Sequence, residues 1–424
     1  MSAPAGSITL DADTRDRGTA PVDDSATVSG VQSAVTQPHG ANSTVPVQTR
    51  SERFSSFDAS AFPAVTGREP EWKFSPVGEL RPLIDGELDG SQWTYESAPV
   101  TGATLEWVDR TDARIGSAGI PEDRASANAW GSFEKALAVT ISGEEPVELS
   151  IGRSALDAAP RSAHTVITAG RHSTGHVLLQ NTGSAQLVEN VEIVLEDGAN
   201  LTVVSVQQWD DDAVHLASHF VTVGRDATFR HVVISLDGKI VRINPSTHLV
   251  ADGGDVELYG AYFASAAQHI EQQVFVDHVA PNTKSRVTYK GALQGQGAHT
   301  VWIGDVLIQR TAVGTDSYEQ NRNLMLTGGA RADSIPNLEI ETGDILGAGH
   351  ASASGRFDDE QLFYLESRGL TAEESRRLVV RGFLTEVVQK IGSADLEARL
   401  QRAIEAALAP VGADSVSPSQ GEGA

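Results

Sequence analysis

Between about residues 145 and 355, apolar and polar side chains alternate with a period of two in a succession of short runs, at 147–151, 165–167, 177–179, 191–195, 201–206, 220–223, 229–234, 256–259, 287–289 and 301–308. Strict alternation predicts strands that bury one face. Turn sequences separate the runs: Asp-Gly-Ala-Asn at 197–200, Gly-Arg-Asp-Ala-Thr at 224–228, Asp-Gly-Gly-Asp at 252–255 and Gly-Gly-Ala-Arg at 328–331. Glycine, asparagine and aspartate tolerate the left-handed backbone of a tight bend. The turns also repeat. Gly198, Asp226 and Gly253 each precede a small residue, with apolar Leu201, Phe229 and Val256 just beyond, at steps of 28 and 27 residues, and a similar pattern is expected at 284–287 after a step of 31. Strands at a near-constant period with no helix between them predict a stacked β-solenoid, in which each coil covers the apolar face of its neighbour. A β-sandwich is the competing architecture, since it shares the period-two signal.

Beyond Gly355 the pattern becomes helical. Asp358 can cap a helix that Gly369 ends, and Thr371 with Glu374 has capping-box spacing. Leu378, Val379, Phe383, Leu384, Val387, Val388 and Ile391 then form an apolar stripe, and after Gly392 the residues Leu396, Leu400, Ile404 and Leu408 step by four along one face. So small a helical unit has too little interior for all these residues, so part of its surface is expected to meet the solenoid end or another protein. Upstream, Trp72, Phe74, Leu80, Trp93 and Trp107 are placed to seed a small mixed subdomain, with one helix expected over 124–137. The chain therefore reads as a disordered tail at 1–50, a mixed α/β region at 51–144, a solenoid at 145–355, a helical domain at 356–409 and a second tail at 410–424.

Charge and composition narrow the function. The formal charge of -25 over 424 residues disfavours nucleic acid and anionic membranes as partners. With no cysteine, the chain forms no disulfide, thiolate nucleophile or thiolate metal site of its own. No apolar run approaches the roughly 20 residues of a membrane span, and no secretory signal is recognisable, so a cytoplasmic location is expected. There is no G-x-x-x-x-G-K-[ST] phosphate loop. His215 and His219 stand four apart, a metal spacing, but nothing nearby completes a ligand set, and they read as structural, as do His172 and His176. Asp210, Asp211 and Asp212 read as a solvated turn rather than as clustered catalytic acids.

Four segments resemble the SufB/SufD family: NRNLMLTGGARADSIPNLEIETGDI at 321–345, GHASASG at 349–355, DDEQLFYLESRG at 358–369 and RRLVVRGF at 376–383. Weaker likeness extends through HLASHF at 215–220, GRDAT at 224–228 and GREPEWKF at 67–74, covering roughly residues 69–391. The resemblance implies a right-handed parallel β-helix flanked by helical regions. It also implies a non-catalytic scaffold of an iron–sulfur cluster assembly complex, paired with a SufB-like paralogue. The C-terminal helices would dock a SufC-like ABC ATPase, with Phe363, Tyr364, Arg368, Arg381 and Phe383 as candidate contacts. The SufB branch is expected to supply an essential cysteine, so the lack of any places this chain with SufD. His350, between small neighbours Gly349 and Ala351, matches the family's functional histidine and is the candidate ligand for a transient cluster shared with SufB; thiolates would have to come from that partner. No tightly bound cofactor of the isolated chain is expected. A β-helix carbohydrate-active enzyme and a purely structural solenoid adaptor are the alternatives.

Overall fold

The spacing of glycine, asparagine and aspartate has a direct structural counterpart. The computed structural model describes residue 50, residues 53–154 and residues 156–408; the expected tails lie outside them, apart from Arg50. Six positions with positive φ recur at one corner of the chain path: His172 (55°), Gly198 (68°), Asp226 (52°), Gly253 (75°), Asn282 (56°) and Gly314 (74°). Each amide donates to a carbonyl of the following coil, as from Gly198 to Arg225 (2.8 Å), Asp226 to Asp252 (3.0 Å) and Asn282 to Val313 (2.8 Å). A left-handed residue turns the chain sharply while keeping its N–H aimed along the stack. The sequence repeat is thus a column of corners. Its fourth member is Asn282, not the 284–287 stretch that a step of 31 pointed to, because Lys284–Leu293 is already the strand leaving the corner.

From Lys135–Ile141 onward, successive strands alternate between two sheets. One holds nine strands, from Ala103–Asp109 at one edge to Arg331–Ile340 at the other, and the second holds eight, from Val147–Arg153 to Gly347–Arg356. Neighbours pair in parallel, as Ile240 does with both Val214 and His269; only Ala103–Asp109 among the named strands runs antiparallel, against Lys135–Ile141. This is a parallel β-solenoid of about eight turns, not a sandwich. Its interior is one continuous apolar column including Leu137, Val177, Ile193, Leu201, Phe229, Val256, Ile270, Val287 and Trp302. Each fully buried aliphatic or aromatic side chain contributes about 1.5–3 kcal/mol.

Both outer faces are partly covered. Helices α1 (Val77–Ile84) and α2 (Arg124–Ser132) lie on the nine-stranded sheet, where Trp72, Leu80, Leu83, Ile84, Ala125 and Ala129 meet Val188, Val214, Leu216 and Ile240. The single helix expected over 124–137 stops at Ser132; Phe133 is extended, and Leu137, Val139 and Ile141 enter the solenoid core as a strand. Downstream come α3 (Asp359–Ser367), α4 (Ala372–Val388) and α5 (Ala394–Ala407). The expected capping box opens α4: Glu374 N donates to Thr371 Oγ1 (3.1 Å) and Thr371 N to Glu374 Oε2 (2.8 Å). α4 and α5 do not close the solenoid end. Their apolar stripe of Val380, Leu384, Val387, Val388, Leu400 and Ile404 lies along the flank of the eight-stranded sheet, on Val204, Val206, Val232, Ile234, Ala261 and Phe263. Those outward-facing residues are apolar because the helices cover them. No described helix is long and apolar enough to cross a membrane.

The two ends differ. At the first coil, Glu96 and Gly152 exchange backbone hydrogen bonds of 2.8 Å, and Trp93, Tyr95 and Trp107 contact one another edge-on or tilted, with ring centroids 5.5–6.2 Å apart. At the last coil, Arg331–Ile340 and Gly347–Arg356 are the terminal strands of their sheets, with no described strand beyond them.

Candidate functional site

His350 sits in the terminal strand Gly347–Arg356, register-paired with Glu319 in the coil before. Register neighbours in a parallel ladder share a face, and Glu319, Asn321 and Asn323 all face the buried interior. His350, Ser352 and Ser354 occupy the same inward positions one coil later, yet all three are exposed. They form the floor of an open end. A polar ladder runs across it: Ser352 Oγ donates to Ser334 Oγ (3.0 Å), Ser334 Oγ to Asn321 Oδ1 (2.7 Å), and Asn323 Nδ2 to Ser354 Oγ (3.4 Å). Gly347, Ala348, Gly349, Ala351 and Ala353 keep the strand thin, so another chain can approach its backbone closely.

Beneath His350 lies a carboxyl group that no sequence signal marked. Glu319 Oε1 is 3.9 Å from His350 Nδ1, too far for a hydrogen bond, and the Glu319 side chain is 1% exposed against 44% for the histidine. Neither Glu319 oxygen has a hydrogen-bond partner. Burial, reinforced by the charge of Asp305, pushes its pKa up to about 8, so it keeps its proton at neutral pH. In the sequence it stands in the polar run 316–323, which reads as surface. His350 is a free imidazole at the mouth, able to ligate a metal. Among the described residues no group of three or more His, Asp or Glu could hold a metal alone, so further ligands would have to come from elsewhere.

The sequence-spaced pairs His215/His219 and His172/His176 are not assembled into ligand sets among the described residues. His215 Nε2 lies 2.8 Å from Glu189 Oε1 and its Nδ1 3.0 Å from Gln207 Oε1, and His219 Nδ1 lies 3.0 Å from His231 Nε2, all fully buried. His172 is one of the corners, the His176 ring is partly desolvated beside Glu148, and Asp210, Asp211 and Asp212 form an exposed turn. Burial makes these interior imidazoles acid-sensitive. It lowers the pKa of His219 and of His278 to about 4. An unfolded histidine takes its proton near 6.5, so between pH 6.5 and 4 the unfolded state binds more protons, and stability present above 6.5 is lost as the pH falls. Each of the two contributes roughly 3 kcal/mol across that window. Burial alone would raise the Glu271 pKa, but the His269 hydrogen bond and Arg242 hold it at about 2, so its contribution is lost as the pH falls from 4.5 towards 2, overlapping the histidine window only at its lower end. The urea midpoint is expected to drop steeply from pH 6.5 to 4 and less steeply in His278→Gln; parallel slopes would contradict this assignment.

The helical candidates divide into two groups. Phe363 and Tyr364 project from α3, whose described side chains are all exposed or half-exposed; Arg368 stacks on Tyr364, 5.1 Å from its ring centre. Arg381 pairs with Glu405 on the rim of an open groove of about 310 Å³, lined by Leu370, Glu374, Arg377, Leu378 and Leu408. Phe383 instead faces the sheet, half-buried, with Lys290 Nζ 4.8 Å above its ring.

Residues 153–383 match the SufBD core domain of the SUF system for FeS cluster assembly. A protein of Mycobacterium bovis named as an iron–sulfur cluster assembly SufBD family protein is 46% identical over 371 residues, covering 84% of this chain and 92% of that protein. A namesake from Mycobacterium leprae is 46% identical over 363 residues, covering 83% and 92%. A second SufBD family protein of Mycobacterium bovis is 27% identical over 201 residues, covering 47% of this chain and 24% of that protein.

Proposed function

The chain belongs to the SufB/SufD family of iron–sulfur cluster assembly proteins, and from that membership we propose that it is the SufD-type, non-catalytic scaffold subunit of a SufBCD-type complex in the cytoplasm. One observation carries the reading: the last coil exposes the inward-facing residues His350, Ser352 and Ser354, whose register partners in the coil before, Glu319, Asn321 and Asn323, are all buried. A SufB-like paralogue supplies the missing neighbour by pairing edge to edge with the terminal strands. That one organism carries two different SufBD family proteins supports such a pair. The nascent cluster is cargo at this junction. His350 offers it an imidazole, and the partner offers thiolates, since this chain has no cysteine to receive sulfur. The SufC-like ATPase docks on a second exposed surface, the α3 face with Phe363, Tyr364 and Arg368 and the groove beside Arg381.

Co-expression with a SufB-like and a SufC-like protein tests the assignment. The three are expected to co-purify. Leu346 (82% exposed) and Ile340 (45% exposed) stand at the rim of the open end. Leu346→Glu with Ile340→Glu is expected to remove the SufB-like protein and leave the ATPase bound, whereas Phe363→Ala with Tyr364→Ala does the reverse. Purification of the wild-type chain free of both partners would overturn the proposal.

A further inference from the structure

On the outer face of the nine-stranded sheet, away from the chemistry proposed for His350, two histidines of adjacent coils face each other. His269 and His299 are register neighbours, with their Nδ1 atoms 3.1 Å apart and their rings inclined at 68°. The other nitrogen of each ring meets a carboxylate: His269 Nε2 lies 3.0 Å from Glu271 Oε2, and His299 Nε2 lies 2.7 Å from Asp333 Oδ2. An ionised carboxylate only accepts hydrogen bonds, so each neutral imidazole holds its proton at Nε2 and carries a lone pair on Nδ1. The two lone pairs then confront each other at contact distance. That arrangement is repulsive until a cation stands between them.

We propose that His269 and His299 chelate a divalent transition-metal ion through their Nδ1 atoms, with Glu271 and Asp333 as the carboxylates that orient the rings. A carboxylate on the far nitrogen is the usual support of a metal-ligating histidine, because it fixes both tautomer and ring direction. Here the support is doubled and itself anchored. Glu271 is buried and accepts from Ser75 Oγ (2.7 Å), Gln273 Nε2 (2.6 Å) and Arg242 Nε (3.1 Å), while Asp333 Oδ1 accepts from Arg331 Nη2 (3.0 Å). With metal–nitrogen bonds of about 2.0–2.1 Å, donors 3.1 Å apart subtend about 100° at the ion, which suits tetrahedral or octahedral coordination. Imidazole donors select zinc, cobalt, nickel or iron(II) over magnesium or calcium. The His299 side chain is 21% exposed against 9% for His269, so the site opens to solvent on the His299 side, where water completes the coordination. The ion would staple two successive coils of the solenoid.

Cobalt(II) and zinc(II) are the probes. The full-length chain carrying His350→Ala, which removes the imidazole at the open end, is titrated with cobalt(II) by visible absorption and with zinc(II) by calorimetry. One ion per chain is expected, with a higher thermal midpoint in its presence. His299→Ala in that background is expected to abolish the cobalt band. Asp333→Asn leaves both ligands in place and is expected to weaken binding about tenfold, with an unchanged circular dichroism spectrum. If the His350→Ala chain binds no cobalt saturably, the pair holds at most a proton and the proposal fails. Binding that neither His299→Ala nor Asp333→Asn alters would also overturn it, by placing the ion elsewhere.

Discussion

Replacing His350 with alanine is expected to reduce cluster assembly by the complex at least about tenfold while leaving the complex and the fold intact. Loss of a group that merely orients a metal ligand already costs 10–100-fold in affinity or activity, so a lost ligand costs no less. The fold is spared because the ring is 44% exposed and makes no hydrogen bond to Glu319, whose carboxyl oxygen lies at 3.9 Å; such a substitution changes stability by about 0.5 kcal/mol or less. His350→Cys restores a donor at the same place and is expected to recover part of the activity. Reconstitution under anaerobic conditions, followed through maturation of a recipient iron–sulfur enzyme, gives the readout. Normal maturation by the alanine variant would remove His350 from the chemistry.

The largest effect on stability is expected inside the first coils. Arg153 makes a bidentate pair with Glu189 (2.9 and 2.8 Å), donates to Asn181 Oδ1 (2.9 Å) and lies 4.8 Å above the Trp93 ring. Burial by itself would push the Glu189 pKa up, but the Arg153 charge and the His215 hydrogen bond outweigh it and hold the carboxylate well below its ordinary range. Arg153→Leu leaves that carboxylate buried without its main countercharge, and a loss of about 3–5 kcal/mol is expected. Pairing it with Glu189→Leu removes both charges and is expected to recover most of the loss. Urea unfolding of the two variants decides the point: equal destabilisation would show that the pair contributes through packing rather than charge.

The solenoid was legible because of how it is built. Strands buried on one face, such as Val147–Arg153, keep their alternation, and a stacked corner restricts residue choice enough to leave Gly198, Asp226 and Gly253 as a visible repeat. Strands covered on both faces lose that signal. His269–His278 is buried at every position, and in Ile240–Leu249 the inward Val241 and Ile243 alternate with Arg242, itself buried against Asp123 and Glu271. Gly347–Arg356 was unreadable as a strand for another reason: glycine, alanine and serine have little strand preference, and its pairing with Asp316–Met325 comes from the stack. The position of the helices was hidden as well. An amphipathic stripe announces burial without naming its partner, and the partner is an apolar row on the sheet's outer face rather than the solenoid end. At the candidate site, His350 stood out through its small neighbours and the family likeness, whereas Glu319 is brought beneath it only by coil register.

Amide hydrogen exchange on the chain with and without a SufB-like partner tests the pairing most directly. Slowed exchange in Arg331–Ile340 and Gly347–Arg356, with the first coil and α3 unchanged, is the predicted result. Unchanged exchange in those two strands while the partner is bound, or protection confined to Ala103–Asp109, would contradict it.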